Sequence, residues 1–85
     1  MQSTKHFIGG FILFVRELLG ISRANLANEL DMSYQNLWDV ERGIRGLSNV
    51  KLDQLIEKLN LSPWEFWSKF PQYLKKCEKL KAQHN

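Results

Sequence analysis

The chain has 85 residues, 44% of them hydrophobic and 25% charged, with a formal net charge of +3 at pH 7, which suffices for one small domain with a single core and not for two. Its lone cysteine, Cys77, excludes an internal disulfide and suits a reducing cytoplasm, the expected location. The apolar stretch 7–15, FIGGFILFV, runs straight into Arg16 and Glu17 without a small-residue cleavage site and is too short to span a bilayer, so neither export nor membrane insertion is expected.

Spacing predicts a first helix over residues 8 to 19. Ile8, Ile12, Val15 and Leu19 form one apolar stripe on it, and Phe7, Phe11, Phe14 and Leu18 form a second beside the first. Gly9 and Gly10 match no nucleotide-binding motif; they point to a close approach of another segment, or to the place where the helix begins. The segment from Ile21 to Gly43, ISRANLANELDMSYQNLWDVERG, reads as two short helices around a tight turn. Ser22 and Ser33 each precede a helix-favouring run and serve as N-caps. Leu26 and Leu30 share a face at i,i+4, Leu37 and Val40 at i,i+3, and Met32 plugs the angle between the two helices. Ala27 stands where they cross, and its small side chain lets the backbones approach. The second helix then projects its first turn outward.

A fourth helix is expected near 49–59, with Ser48 as cap and Leu52, Leu55, Ile56 and Leu59 as its apolar stripe. The fifth has the clearest start in the chain. Ser62 is its N-cap, Pro63 its first helical residue, Glu65 completes a capping box, and Leu61 can staple onto Phe66. Pro71 then ends or kinks it. A last helix, near 72–82, should turn Tyr73, Leu74, Cys77 and Leu80 inward and Lys75, Lys76, Lys79 and Lys81 outward. The expected fold is therefore all-α: five helices within residues 1–70, with the two-helix motif at 22–43, and a C-terminal helical extension over 71–85.

Over residues 8 to 67 the chain resembles the lambda-repressor-like, Cro/Xre-type helix-turn-helix DNA-binding proteins. Their motif runs Ser-Gln-x-x-Leu-Ala-x-x-Leu-Gly-Val-Ser, followed by a recognition helix ending in Ile-Glu-x-Gly and a basic residue. Here it reads SRANLANELDMS and then YQNLWDVERGIR, and LSNVKLDQLIEKLNLSPWEFW matches the spacing of the family's fourth and fifth helices. The resemblance implies the family's five-helix fold, double-stranded DNA as partner, and sequence-specific regulation of transcription, with repression expected and helix 33–42 in the major groove. On that helix it puts Tyr34, Gln35, Trp38 and Asp39 on the exposed face and Asn36 at its edge. Gln35 and Asn36 can pair with adenine N6 and N7, Asp39 can accept from cytosine N4, and Tyr34 and Trp38 can meet a thymine methyl or the sugar-phosphate wall. Phosphate contacts fall to Arg23, where the family usually has Gln, to Ser33, and to Arg42 and Arg45 around Gly43, which should end the helix in a left-handed conformation. Arg16 and Glu41 occupy the positions of an ion pair that fixes the recognition helix against helix 1. Two positions depart from the family. Asp31 stands for the turn glycine, tolerable because Asp visits the left-handed region, and Ile44 stands for a common basic residue.

Charge is unevenly placed. Residues 1–46 hold five basic and five acidic side chains, while the remainder holds seven lysines against four acids. A neutral motif implies weak binding by one copy and a need for two. Surplus apolar surface points the same way: Phe7, Phe11, Phe14 and Leu18, together with Trp64, Trp67 and Tyr73, are the expected interface of a homodimer, unless the C-terminal helix folds back and covers part of them. The other function class is a protein-interaction module on the same fold, or an antitoxin-like protein, whose Trp- and Tyr-rich surface takes a protein partner. An enzyme is not expected. His6 and His84 lie near the two ends, Cys77 sits on the last apolar stripe, and no carboxylate pair, metal-ligand spacing or phosphate-cradling loop is present, so no cofactor or metal is expected either.

Overall fold

The computed structural model describes residues 4–83, with side chains described through residue 79. Among the described residues there are six helices and no strand: α1 (Thr4–Leu18), α2 (Arg23–Glu29), α3 (Tyr34–Glu41), α4 (Asn49–Lys58), α5 (Pro63–Trp67) and α6 (Phe70–Gln83). The expected all-α fold is present.

Local chemistry sets the helix ends. Ser22, Ser33, Ser48 and Ser62 all sit in extended backbone, and each hydroxyl accepts the N–H three residues on, at 3.0–3.1 Å. In α5 the box is complete, with the Glu65 carboxylate accepting the Ser62 N–H at 2.9 Å. The opposite ends of α1 to α4 share one device. Gly20, Asp31, Gly43 and Asn60 have φ of 71, 53, 76 and 61°. Each, with the residue after it, donates its N–H back to carbonyls of the last helical turn, as in Asp31 to Asn28 and Met32 to Ala27.

Four expectations about boundaries and faces need correction. Helix α1 starts at Thr4, not at 8, and Leu19 lies beyond its end and is exposed, so it does not join the buried stripe. Pro71 neither ends nor kinks α5; it falls in the first turn of α6, where a missing N–H leaves no bond unmade. Leu74 is exposed rather than inward. The side chains of Leu80 and Lys81, and His84, lie outside the described residues.

Both apolar stripes of α1 contribute to the core, because α6 folds back over the helix. Phe11, Ile12 and Val15 are fully buried with Leu37, Leu55 and Phe66. Phe11 is the hub of an aromatic cluster, with ring centroids 4.8 Å from Phe66, 5.1 Å from Phe70 and 5.6 Å from both Trp67 and Tyr73. The Phe14 ring lies tilted against Tyr73, with centroids 5.6 Å apart, and the Lys76 ammonium lies over it at 5.4 Å. Burial, and secondarily a hydrogen bond with the Cys77 thiol, pushes the Tyr73 hydroxyl up to about 12. Phe11 and Tyr73 are therefore core residues and Phe14 is partly buried, which removes them from the surface expected to meet a second subunit; Phe7, Leu18, Trp64 and Trp67 stay exposed.

The two glycines of α1 mark its two contacts. A Cβ on Gly9 would collide with the Val40 carbonyl at the end of α3, and one on Gly10 would collide with the Tyr73 hydroxyl. At 100° per residue, the α3-facing positions Gly9, Ile12 and Arg16 lie roughly 140° around α1 from the α6-facing Gly10 and Phe14. Helices α3 and α6 thus sit on nearly opposite sides of α1. No described helix is long and apolar enough to cross a membrane.

Candidate functional site

Helix α3 has a buried side and an open one. Leu37, Val40 and Glu41 are buried, and Gln35, Asp39 and Arg42 lie roughly 180° around the helix from them. Gln35 and Arg42 are exposed, Asp39 and Asn36 are half-buried, and Tyr34 and Trp38, both exposed, flank the open side toward α2. The five residues expected to read bases are thus carried on one eight-residue helix capped by Ser33.

What orients this helix is a buried carboxylate. Glu41, with 1% of its side chain exposed, accepts from Arg16 Nε at 2.7 Å and Nη2 at 3.2 Å and from Arg23 Nε at 2.7 Å. Arg16 also donates Nη1 to the Ile21 carbonyl at 2.9 Å, tying the α1–α2 turn into the same network. One carboxylate therefore links α1, α2 and α3. The ion pair expected from the resemblance is present, and Arg23 makes it a triad.

Arg23 is committed further than its sequence position suggests. Its Nη1 donates to the Tyr34 hydroxyl at 2.8 Å, and its guanidinium lies over the Tyr34 ring at 5.4 Å and the Trp38 ring at 5.9 Å. The bond to Glu41, first, and that to Tyr34 hold its already high pKa higher still. Only 21% of the side chain is exposed. The Arg42 guanidinium also lies over the Trp38 ring, at 4.7 Å, so Tyr34, Arg23, Trp38 and Arg42 are grouped along one edge of α3. Beside it Gln35 Nε2 donates to Asp39 Oδ1 at 3.0 Å.

Of the residues expected at phosphates, Ser33 uses its hydroxyl as the cap of α3, while Arg42 and Arg45 are exposed at the far end. Gly43, packed with its Cα side against the His6 ring, lets the chain reverse there. Arg45 lines a cleft of about 190 Å³ together with Thr4, Lys5, Gly46 and Asn49, the first residue of α4. Lys5 was not legible in the sequence as part of this region. The apolar stripes that mark α1 begin only at Phe7 and Ile8, so Lys5 read as lying ahead of the helix rather than beside Arg45. Among the described residues no group of His, Cys, Asp or Glu is placed to hold a metal ion.

Solved structures share the fold. The clp gene regulator ClgR from C. glutamicum superposes with a TM-score of 0.74 at 19% identity, covering 85% of this chain and 92% of that one. A single-residue variant of the restriction-modification controller protein C.Esp1396I gives a TM-score of 0.76 at 21% identity, covering 89% and 98%. No family model and no curated protein matches the sequence. The likeness is one of fold, and at that level the resemblance to the lambda-repressor-like helix-turn-helix proteins is borne out.

Proposed function

We propose that the protein is a sequence-specific DNA-binding regulator of transcription, a repressor that occludes its site, which enters the major groove with α3 and acts as a homodimer. The observation that carries this reading is the presentation of α3. Its polar face points away from the core, its first turn is capped and outward, and the Arg16–Glu41–Arg23 triad fixes its angle to α1 and α2, which is the geometry a recognition helix needs. The names of both structural relatives, a gene regulator and a restriction-modification controller, agree with it. Gln35, at the centre of the open face, is the principal base reader; Tyr34, Asn36 and Trp38 flank it. Arg42, Arg45 and Lys5 are the phosphate contacts, at the end of α3 and the start of α4.

A protein partner is the second reading, and Trp64 favours it. At 81% exposure it is the most exposed large apolar side chain described, and a surface tryptophan is a strong interface anchor.

Selection of bound sequences from random duplex DNA decides between them. A regulator enriches one sequence, and Gln35→Ala then costs about 1–3 kcal/mol on that sequence and relaxes one or two base pairs. Equal loss on selected and random DNA would remove Gln35 from base reading.

A further inference from the structure

We infer that Asp39 is the positioning residue for Gln35: it fixes the Gln35 amide so that the centre of α3 offers one acceptor and one donor to an adenine, and it reads no base itself. This rests on the DNA-binding reading above. A carboxylate can only accept, so the hydrogen bond to Asp39 Oδ1 must come from the amide nitrogen of Gln35, which settles which way round the amide lies. Asp39 is in turn well placed to hold it. The two residues are four apart on one helix face, the Asp39 carbonyl accepts from the N–H groups of Ile44 and Arg45 at 2.9 and 3.2 Å, and among the described residues Asp39 makes no ion pair. The neighbouring guanidiniums lie over Tyr34 and Trp38 instead.

With one amide hydrogen on Asp39, Gln35 keeps Oε1 and its second N–H. That pair matches adenine, whose N6–H donates and whose N7 accepts. Guanine presents two acceptors in the same place, O6 and N7. It would need both amide hydrogens, one of which is held, and its lone pairs would face the Asp39 charge. The pair therefore favours adenine and disfavours guanine.

The test is selection from random duplex DNA with the full chain as wild type, Gln35→Ala, Asp39→Ala and Asp39→Asn, alongside side-chain amide NMR of the free proteins. The wild type should prefer adenine over guanine about tenfold at one position, and Gln35→Ala should abolish that preference. Asp39→Ala should lower it to about threefold at the same position and leave every other position unchanged. Asp39→Asn keeps an accepting oxygen and should retain most of it. In the free protein, one Gln35 amide proton should lie downfield in the wild type and the Asn variant and return to the ordinary range in the Ala variant. Loss of a cytosine preference at a separate base pair in Asp39→Ala would overturn the inference while leaving DNA reading intact. A wild-type pool with no preferred sequence would sink the DNA reading, and the inference with it.

Discussion

Gly9 and Gly10 stand side by side in α1 yet tolerate different things. The obstacle above Gly9 is the backbone carbonyl of Val40, which cannot move without shifting α3, whereas the obstacle above Gly10 is the far end of the Tyr73 side chain. Gly9→Ala should therefore cost about 1–3 kcal/mol or more as overpacking. Gly10→Ala should cost much less, since replacing a mid-helix glycine returns about 1 kcal/mol of helix propensity. Urea unfolding of the two variants checks this, and equal midpoints would show that α3 does not bear on Gly9. Sequence left open whether these glycines admit a close approach or mark the start of the helix, and did not show what approaches them. Arg23 is the converse case. Its position resembles a phosphate contact, but its side chain joins Glu41 to Tyr34, and residue type alone cannot separate the two roles. If Arg23 acts by holding Tyr34 and the α2–α3 angle, Arg23→Ala should weaken specific binding without changing its salt dependence. Arg42→Ala, by contrast, should flatten the slope of log K against log salt by about one unit. A slope lowered equally by both would return Arg23 to the phosphates.

At the scale of elements, one turn is used three times. Gly20-Ile21-Ser22, Asp31-Met32-Ser33 and Asn60-Leu61-Ser62 each place a left-handed residue, a partly buried apolar residue and a serine cap in succession, so that only four residues separate one helix from the next. The three serine caps and the left-handed Asp31 were legible beforehand, because such signals lie in residues adjacent in sequence, whereas Gly20 and Asn60 were not read as left-handed. Nor was the fate of the Phe11 stripe legible, since periodicity shows that a face must be covered and not which helix covers it. The turn also carries a test. An L-residue in the left-handed region costs roughly 1–2 kcal/mol, and Asp31 is exposed, so Asp31→Gly should stabilise the fold by up to about 1 kcal/mol; a lower unfolding midpoint would mean that the Asp31 side chain matters for the turn. The third turn adds pH dependence. The Ser62 N–H and hydroxyl hold the Glu65 carboxyl below its ordinary value of 4.5. Because the folded pKa is depressed, the stabilisation is complete above that ordinary value and is lost as pH falls through the lower, folded one. Comparing acid unfolding of the wild type and Glu65→Gln by tryptophan fluorescence should show a stability gap at neutral pH that closes over this window. A gap unchanged down to pH 2 would mean that the box contributes nothing through its charge.

For the whole molecule, the question that the proposed function raises is how a motif with as many acids as bases would hold DNA. Part of the answer lies within one chain: Glu41 is buried between two arginines, so it is withdrawn from the surface, while Lys5, Arg42 and Arg45 stand near the end of α3. Lys75, Lys76 and Lys79 of α6 would not assist, because α6 and α3 lie on nearly opposite sides of α1. The other part, on the proposed function, would be a second copy. Folding α6 over α1 has consumed Phe11, Phe14 and Tyr73, so the surplus apolar surface is now narrower than the sequence suggested and is dominated by Trp64, with Trp67, Phe7 and Leu18 also open. Two such surfaces meeting across a two-fold axis would place two α3 helices on one face of DNA and make the second half-site contact intramolecular. Trp64 is too exposed to matter for the monomer's own core, so Trp64→Ala should change folding stability by less than about 0.5 kcal/mol while shifting the wild-type dimer toward monomer and weakening binding to a two-half-site duplex far more than to a single half-site. Light scattering on a size-exclusion column reads the first effect directly. A wild-type chain that stays near 10.0 kDa at tens of micromolar, and occupies DNA one copy at a time, would sink the dimer.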